Sequence, residues 1–143
     1  MTKRFNFDMD GTIADLYTVE NWLPKLRAED ATPYEQARPL VNMARLAKAL
    51  NKAKRAGYEI AVISWGSKNS SADYLERVKR AKENWLAKHL PSVKWNEIKV
   101  VAYGTPKSTC GNGILFDDEQ NNLDEWGANA YKPSEIFKVL ATA

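Results

Sequence analysis

The positions of apolar residues divide the chain into short runs and longer periodic segments. Four short, largely apolar runs are typical of strands and cover residues 5–10, 58–64, 98–103 and 113–118. Two segments carry their apolar residues on one helical face and cover residues 41–56 and 72–90. Strands that alternate with helices in this way predict an α/β fold with a mostly parallel central sheet.

The last part of the chain continues the pattern on a smaller scale. It predicts a short helix from near Glu119 to Trp126, a brief edge strand at residues 128–131, and a final helix that opens at Pro133 and runs through Leu140. With 143 residues, 44% of them hydrophobic, the chain can bury one core of ordinary size. We therefore expect a single domain over residues 1–143.

Residues 14–40 interrupt the alternation of strands and helices. Their three prolines exclude a long helix, and the segment is too short to fold as a domain of its own. Its length suits a flap, or small cap, over a site at the end of the first strand. Its aromatic residues Tyr17 and Trp22 have two interpretations: they stack on a ring-bearing substrate, or they anchor the loop to the core.

Charge and cysteine content narrow the class of protein. The formal net charge is only +3, and basic residues are interleaved with acidic ones, which gives no strong indication of nucleic-acid binding. The single cysteine, Cys110, excludes an internal disulfide, and no apolar segment is long enough for a signal peptide or a membrane span. We expect a soluble, cytoplasmic protein without membrane contact. His89 lies in a separate helical segment, so Cys110 is interpreted as a passive loop thiol.

Two carboxylates follow the first strand. Asp8 and Asp10 alternate with the apolar residues of this strand, and Gly11 permits the turn that ends it. Carboxylates this close repel each other, so a site that keeps both ionised needs a cation such as Mg²⁺, which prefers oxygen ligands. An exposed Asp-Gly turn is the alternative interpretation of the same residues.

Polar groups also follow the other three strands. Ser64 and the backbone amide of Trp65 lead towards a helix N-terminus, where a phosphate group is readily bound. Lys107 comes just past the third strand and can neutralise carboxylate and phosphoryl oxygens together. Asp117 and Asp118 end the fourth strand, and two adjacent acids at the end of a buried strand suggest a metal site, although either one could cap the next helix.

The ordered set of Asp8-Met9-Asp10-Gly11-Thr12, Ser64, Lys107 and Asp117-Asp118 resembles the haloacid dehalogenase superfamily of phosphohydrolases. The resemblance covers nearly the whole chain, and it implies a three-layer, Rossmann-like sandwich with its site at the carboxyl ends of the strands. One departure is Asn6, a polar residue in the first strand, where the family is typically hydrophobic.

The resemblance also implies a role for each of these residues. Asp8 looks like the nucleophile that forms an aspartyl-phosphate, and Asp10 like the acid that protonates the leaving oxygen and then activates water. Ser64 and the Trp65 amide would hold phosphoryl oxygens, and Lys107 would steady Asp8 and the transferring group. Mg²⁺ would bind Asp8, the backbone carbonyl of Asp10 and one acid of the last pair. The last pair is Asp117 and Asp118. Asp118 is expected to be the direct ligand, and Asp117 would orient the lysine or a metal-bound water.

The function implied is a Mg²⁺-dependent phosphomonoester hydrolase. Its substrate would be a small-molecule or nucleotide phosphate ester, or a nucleic-acid terminal phosphate, because Tyr17, Trp22, Trp65 and Tyr103 fall near the expected strand ends. With only a small cap available, the site is expected to be open, or closed by a second subunit in a homodimer. Two alternatives are a non-catalytic binding module that keeps the fold, and a phosphotransferase or mutase that passes the phosphoryl group to an acceptor other than water.

Overall fold

A five-stranded parallel sheet lies at the centre of the protein. The computed structural model describes residues 3–143. Its strands are β1 (Arg4–Phe7), β2 (Ala14–Asp15), β3 (Arg38–Pro39), β4 (Glu59–Trp65), β5 (Glu97–Val101), β6 (Ile114–Phe116) and β7 (Ala130–Tyr131). Its α-helices are α1 (Trp22–Arg27), α2 (Thr32–Gln36), α3 (Met43–Arg55), α4 (Ala72–His89), α5 (Gln120–Trp126) and α6 (Ile136–Leu140). The central sheet has the strand order β5-β4-β1-β6-β7, and every neighbouring pair in it is parallel.

This architecture confirms the α/β fold with a mostly parallel sheet flanked by helices. The central strand β1 pairs with β4 along one edge and with β6 along the other, and all four of its residues are buried. Phe5 and Phe7 are fully buried there, and they pack with Phe116 from β6. Burial of this apolar surface is the main force that holds the layers together.

The end of β1 differs from the expectation. The strand ends at Phe7, whereas the apolar pattern predicts strand as far as Asp10. The reason is a tight turn in which the carbonyl of Met9 accepts hydrogen bonds from the amides of Thr12, Ile13 and Ala14. Gly11 adopts a φ of 83° in this turn, a left-handed conformation that glycine takes without steric cost. Asp8 and Asp10 therefore lie just beyond the strand, at the carboxyl edge of the sheet.

Residues 14–40 contain no long helix, as their prolines predict. They do contain the two short helices α1 and α2, which the sequence pattern did not resolve. The two ends of the segment pair with each other, since Ala14 lies opposite Pro39 and Asp15 opposite Arg38 in a small antiparallel ladder.

Helix α4 holds the 14–40 segment against the body of the protein. Buried residues from both sides form one apolar cluster: Leu16, Leu26, Tyr34, Tyr74, Val78 and Ala81. The Tyr74 hydroxyl donates to the carbonyl of Asp30 at 2.8 Å, and the indole N–H of Trp85 donates to the carbonyl of Ala37, also at 2.8 Å. The segment is thus anchored along its length and fixed in position beside the sheet edge.

No helix within residues 3–143 is both long enough and apolar enough to cross a bilayer.

Candidate active site

The first carboxylate, Asp8, is held on both oxygens. The Thr12 hydroxyl donates to its Oδ2 at 2.9 Å, and the Lys107 ammonium donates to its Oδ1 at 2.8 Å. Only 7% of Asp8 is exposed. A carboxylate fixed in this way has one orientation, which is what attack along a defined direction requires.

Lys107 joins the carboxylates of two neighbouring strands. Its Nζ lies 2.8 Å from Asp8 Oδ1 and 2.7 Å from Asp117 Oδ2, and only 1% of the lysine is exposed. Burial acts to lower the pKa of Lys107, but the charges of Asp8 and then Asp117 outweigh it and hold the pKa above its ordinary value. The lysine is therefore a permanent cation between the ends of β1 and β6.

The two acids after β6 have different surroundings. Asp117 is fully buried, and its oxygens accept hydrogen bonds from Lys107, from the Glu119 amide at 2.9 Å and from the Asn122 side chain at 3.1 Å. Asp118 is exposed and lines the cavity described below. Asp117 is thus placed to orient Lys107, while Asp118 has oxygens that a ligand can reach.

A divalent cation fits the carboxylates at this edge. Asp8, Asp117 and Asp118 each offer an oxygen, and these three oxygens lie within 4.8 Å of one another. Such an all-oxygen set of ligands suits Mg²⁺. Desolvation, followed by the charge of Asp8, raises the pKa of Asp118 to about 8, the direction expected for a carboxyl group beside another carboxylate.

The second carboxylate of the opening motif, Asp10, contacts a lysine that the sequence analysis does not single out. Lys82, in the middle of α4, donates to Asp10 Oδ2 at 2.9 Å, to the Ser64 hydroxyl at 2.6 Å and to the Trp65 carbonyl at 2.8 Å. Burial raises the pKa of Asp10, although the charge of Lys82 acts in the opposite direction. A raised pKa suits a carboxyl group that must hold a proton for part of a reaction.

The sequence does contain a signal for Lys82. It stands on the apolar stripe of α4, four residues after Val78 and three before Trp85, both of which are buried. A lysine in the middle of a buried stripe needs buried acceptors, and the acceptors here belong to two strand ends. That signal indicates burial and a polar partner, but it does not indicate which partner.

Ser64 and Trp65 lie at the end of β4 as predicted, in different environments. Ser64 is fully buried behind Asp10 and outside the cavity lining, so its contact with a phosphate group remains a prediction. The indole of Trp65 lines the cavity and donates to the carbonyl of Thr105 at 2.8 Å. The next amide, that of Gly66, is not free, because it donates to the carbonyl of Val101 at 2.7 Å.

A cavity of about 980 Å³ opens in front of the carboxylates. Asp8, Asp10, Lys107 and Asp118 contribute to its lining, so the structure brings four of the predicted charged site residues to one surface. Two aromatic pairs also line it, one from the 14–40 segment and one beside β4 and β5. They are Tyr17 with Trp22, whose ring centroids are 5.0 Å apart, and Trp65 with Tyr103, at 4.9 Å.

Three further residues noted in the sequence also lie outside this cavity. Cys110 is a buried free thiol, and His89 packs on the ring of Trp85 with centroids 4.5 Å apart. Asn6 finds its partners within the sheet: its side-chain N–H groups donate to the carbonyls of Asn112 at 2.7 Å and of Ile114 at 3.0 Å.

Comparison with solved structures identifies a protein of the same architecture. The D,D-heptose 1,7-bisphosphate phosphatase from Burkholderia thailandensis superposes with a TM-score of 0.53 and 16% sequence identity, over 99% of this chain and 86% of that one. The two chains share one fold. This confirms the fold that the resemblance to the haloacid dehalogenase superfamily implies. No protein-family model and no curated protein sequence matches the chain.

Proposed function

We propose that this protein is a Mg²⁺-dependent phosphomonoester hydrolase that works through an aspartyl-phosphate on Asp8. The observation that carries the proposal is the position of Lys107, which joins Asp8 to Asp117 beside the accessible Asp118. The shared fold with a phosphatase supports it. A surface-binding module would have no need for two buried carboxylates around one lysine, because each costs free energy to desolvate.

The first half-reaction transfers the phosphoryl group to the protein. An oxygen of Asp8 forms a bond to phosphorus while the bond from phosphorus to the leaving oxygen breaks. Asp10 donates a proton to that leaving oxygen, so the product departs as a neutral alcohol. Lys107 balances the charge on Asp8 and the transferring group, and Thr12 keeps the carboxylate in its orientation.

The second half-reaction restores the protein. Asp10, now a carboxylate, takes a proton from water as the water oxygen bonds to phosphorus, and the acyl phosphate bond to Asp8 breaks. Asp8, Asp118 and the backbone carbonyl of Asp10 would hold Mg²⁺, with Asp117 orienting Lys107. When bound, the cation would supply positive charge for the phosphoryl oxygens and for the charge that develops during transfer.

We propose a ring-bearing phosphate ester as the substrate, with a nucleotide as the first candidate and a nucleic-acid terminal phosphate as a larger version of it. The support is the aromatic lining, in which 46% of Tyr17 and 54% of Tyr103 remain exposed beside the carboxylates. Base–aromatic stacking is worth about 1–3 kcal/mol per base. In this proposal residues 14–40 act as the small cap that supplies one of the two aromatic pairs.

The decisive experiment is phosphate release from a panel of esters. The panel contains nucleoside monophosphates, sugar phosphates, phosphorylated oligonucleotides and p-nitrophenyl phosphate, and the variants are Asp8→Asn and the matched surface change Asp124→Asn. We expect activity that requires Mg²⁺, is lost in EDTA, returns little with Ca²⁺, and survives Asp124→Asn but not Asp8→Asn. Phosphate release unchanged by Asp8→Asn or by chelator would refute the mechanism.

The alternatives give different products. A phosphotransferase would form a new ester when an alcohol or nucleoside acceptor is present, at the expense of inorganic phosphate. A binding module would bind Mg²⁺ without turnover of any ester in the panel. For the substrate, Tyr103→Ala should raise KM for nucleotides and leave KM for sugar phosphates, which carry no aromatic ring, almost unaffected; an equal change for both would exclude base stacking on Tyr103.

A further inference from the structure

A buried ammonium group in the middle of a helix needs an explanation. Lys82 is 1% exposed, and a charge removed from water costs several kcal/mol unless it is fully hydrogen-bonded. A lysine ammonium has three N–H donors. All three are used, on Asp10 Oδ2, the Ser64 hydroxyl and the Trp65 carbonyl, so no donor is left for a substrate.

The three acceptors come from two different parts of the site. Ser64 and Trp65 belong to β4, whose backbone is fixed by pairing on both sides. Asp10 lies in the turn after β1. Lys82 therefore links a carboxylate on a turn to the end of a paired strand. The ring of Tyr34 lies against its ammonium, with 4.8 Å between Nζ and the ring centroid.

Only one of the two oxygens of Asp10 is used in this contact. Oδ2 accepts from Lys82, while Oδ1 makes no hydrogen bond within residues 3–143. The Asp10 side chain is 16% exposed and lines the cavity. The hydrogen bond to Oδ2 fixes the rotation of the carboxylate and leaves Oδ1 available on the cavity side.

We infer that Lys82 is a positioning residue for the proposed acid–base group: it fixes Asp10 through Oδ2 so that Oδ1 exchanges the proton with the leaving oxygen and with water. The inference rests on the proposed function. Lys82 touches neither the substrate nor the reacting phosphorus and acts through Asp10. Its structural contribution, the packing of its aliphatic stem on the buried face of α4, is separate and is retained by methionine.

The test is a comparison of Lys82→Met with Lys88→Met, an exposed lysine on the same helix. The rate of phosphorylation is measured in single turnover for an alkyl phosphate and for p-nitrophenyl phosphate. We expect Lys82→Met to lower the alkyl phosphate rate by about 10²-fold, the effect typical of a misplaced catalytic group. The p-nitrophenyl phosphate rate and KM should change much less, because that leaving group needs little protonation.

A double-mutant cycle separates positioning from general destabilisation. In an Asp10→Asn background, Lys82→Met should lower the alkyl phosphate rate no further, since the group it positions has lost its function. A purely structural lysine would slow both esters equally and would give additive effects in the cycle, and either result would overturn the inference. Where Lys82→Met does not fold, Lys82→Gln, which keeps an N–H donor, takes its place in the same cycle.

The two proposals fail in different ways. A wild-type protein that releases no phosphate from any ester refutes the proposed function. If the wild-type protein is active, and Lys82→Met and Lys88→Met show the same ratio of alkyl phosphate rate to p-nitrophenyl phosphate rate, only the role of Lys82 is refuted. The proposed function is then retained.

Discussion

Lys107 and Asp117 form a fully buried ion pair, with 2.7 Å between Nζ and Oδ2. Neither side chain exceeds 1% exposure. Breaking a buried pair by removing one partner typically costs about 3–5 kcal/mol, because the other charge stays buried without compensation. The pair is therefore important for folding as well as for the charge balance of the site.

The first prediction follows from this pair. Lys107→Met should lower the free energy of unfolding by about 3–5 kcal/mol and abolish phosphate release, since Asp8 and Asp117 both lose their cation. Chemical denaturation and ester hydrolysis measure the two effects. Lys138→Met, at an exposed lysine of α6, is the control and should change neither. A stable, active Lys107→Met protein would contradict the assignment of Lys107.

The second prediction concerns Gly11 and Asp118. A Cβ on Gly11 would lie 2.1 Å from Asp118 Oδ2, so alanine must displace the expected metal ligand. Gly104 provides a matched control, because its φ of +88° is similar and a Cβ there would meet nothing within 4 Å. Both alanine variants should lose about 1–2 kcal/mol through the left-handed backbone. Only Gly11→Ala should weaken Mg²⁺ binding in calorimetry; equal affinities in the two variants would count against Asp118 as a ligand.

The third prediction is a pH dependence of stability without divalent cations. The folded-state pKa of Asp118, about 8, lies above the value of about 3.9 in an unfolded chain, so the folded state binds more protons between these values. Stability from this group is therefore lost as the pH rises through that range. Asp118→Asn removes the effect and should raise the melting temperature in EDTA more at pH values near 8 than near 5.

Two further measurements check this interpretation. Mg²⁺ should raise the melting temperature of the wild type at the higher pH and should have little effect on Asp118→Asn. Asp124→Asn, a surface change, should behave as the wild type in both measurements. A melting-temperature gain in Asp118→Asn that is independent of pH would show that the charge of Asp118 is not responsible.

The fourth prediction concerns Asp10 itself. Asp10→Asn keeps the shape of the side chain but can neither donate nor accept the proton, so phosphorylation by an alkyl phosphate should slow by about 10²–10⁴-fold. The effect on p-nitrophenyl phosphate should be smaller, while Mg²⁺ binding through the backbone carbonyl should persist. Single-turnover rates and calorimetry measure the two quantities. Equal slowing of phosphorylation for both esters would refute the acid role of Asp10.

The carboxyl edge of the sheet could be predicted because its signals are local. Each of Asp8, Lys107 and Asp117 follows an apolar run within a few residues, and parallel strands bring their carboxyl ends together whatever the details of packing. The resemblance assigns different roles to Asp117 and Asp118, but the difference in their surroundings is seen only in three dimensions, where the buried acid binds Lys107 and the accessible one lines the cavity.

The contacts of α4 could not be predicted because they depend on distant segments. Lys82 hydrogen-bonds to Asp10, which is 72 positions away in the sequence, and Trp85 hydrogen-bonds to Ala37, which is 48 positions away. Helical periodicity indicates which face of α4 is buried, but not what covers it. The short helices of the 14–40 segment could not be predicted for the same reason. They pack on α4, and helices this short are not stable through intrinsic helix propensity alone.

The ladder between Ala14 and Pro39 has a consequence for how such a protein can acquire new substrates. It joins the two ends of the 14–40 segment beside the sheet, so what lies between them is a closed loop whose length is independent of the position of Asp8. Doubling the length of a flexible loop costs only about 0.6 kcal/mol in closure entropy. Evolution, or an engineer, can therefore lengthen this loop where it does not pack on α4, and change what the cavity accepts while the reacting groups stay in place.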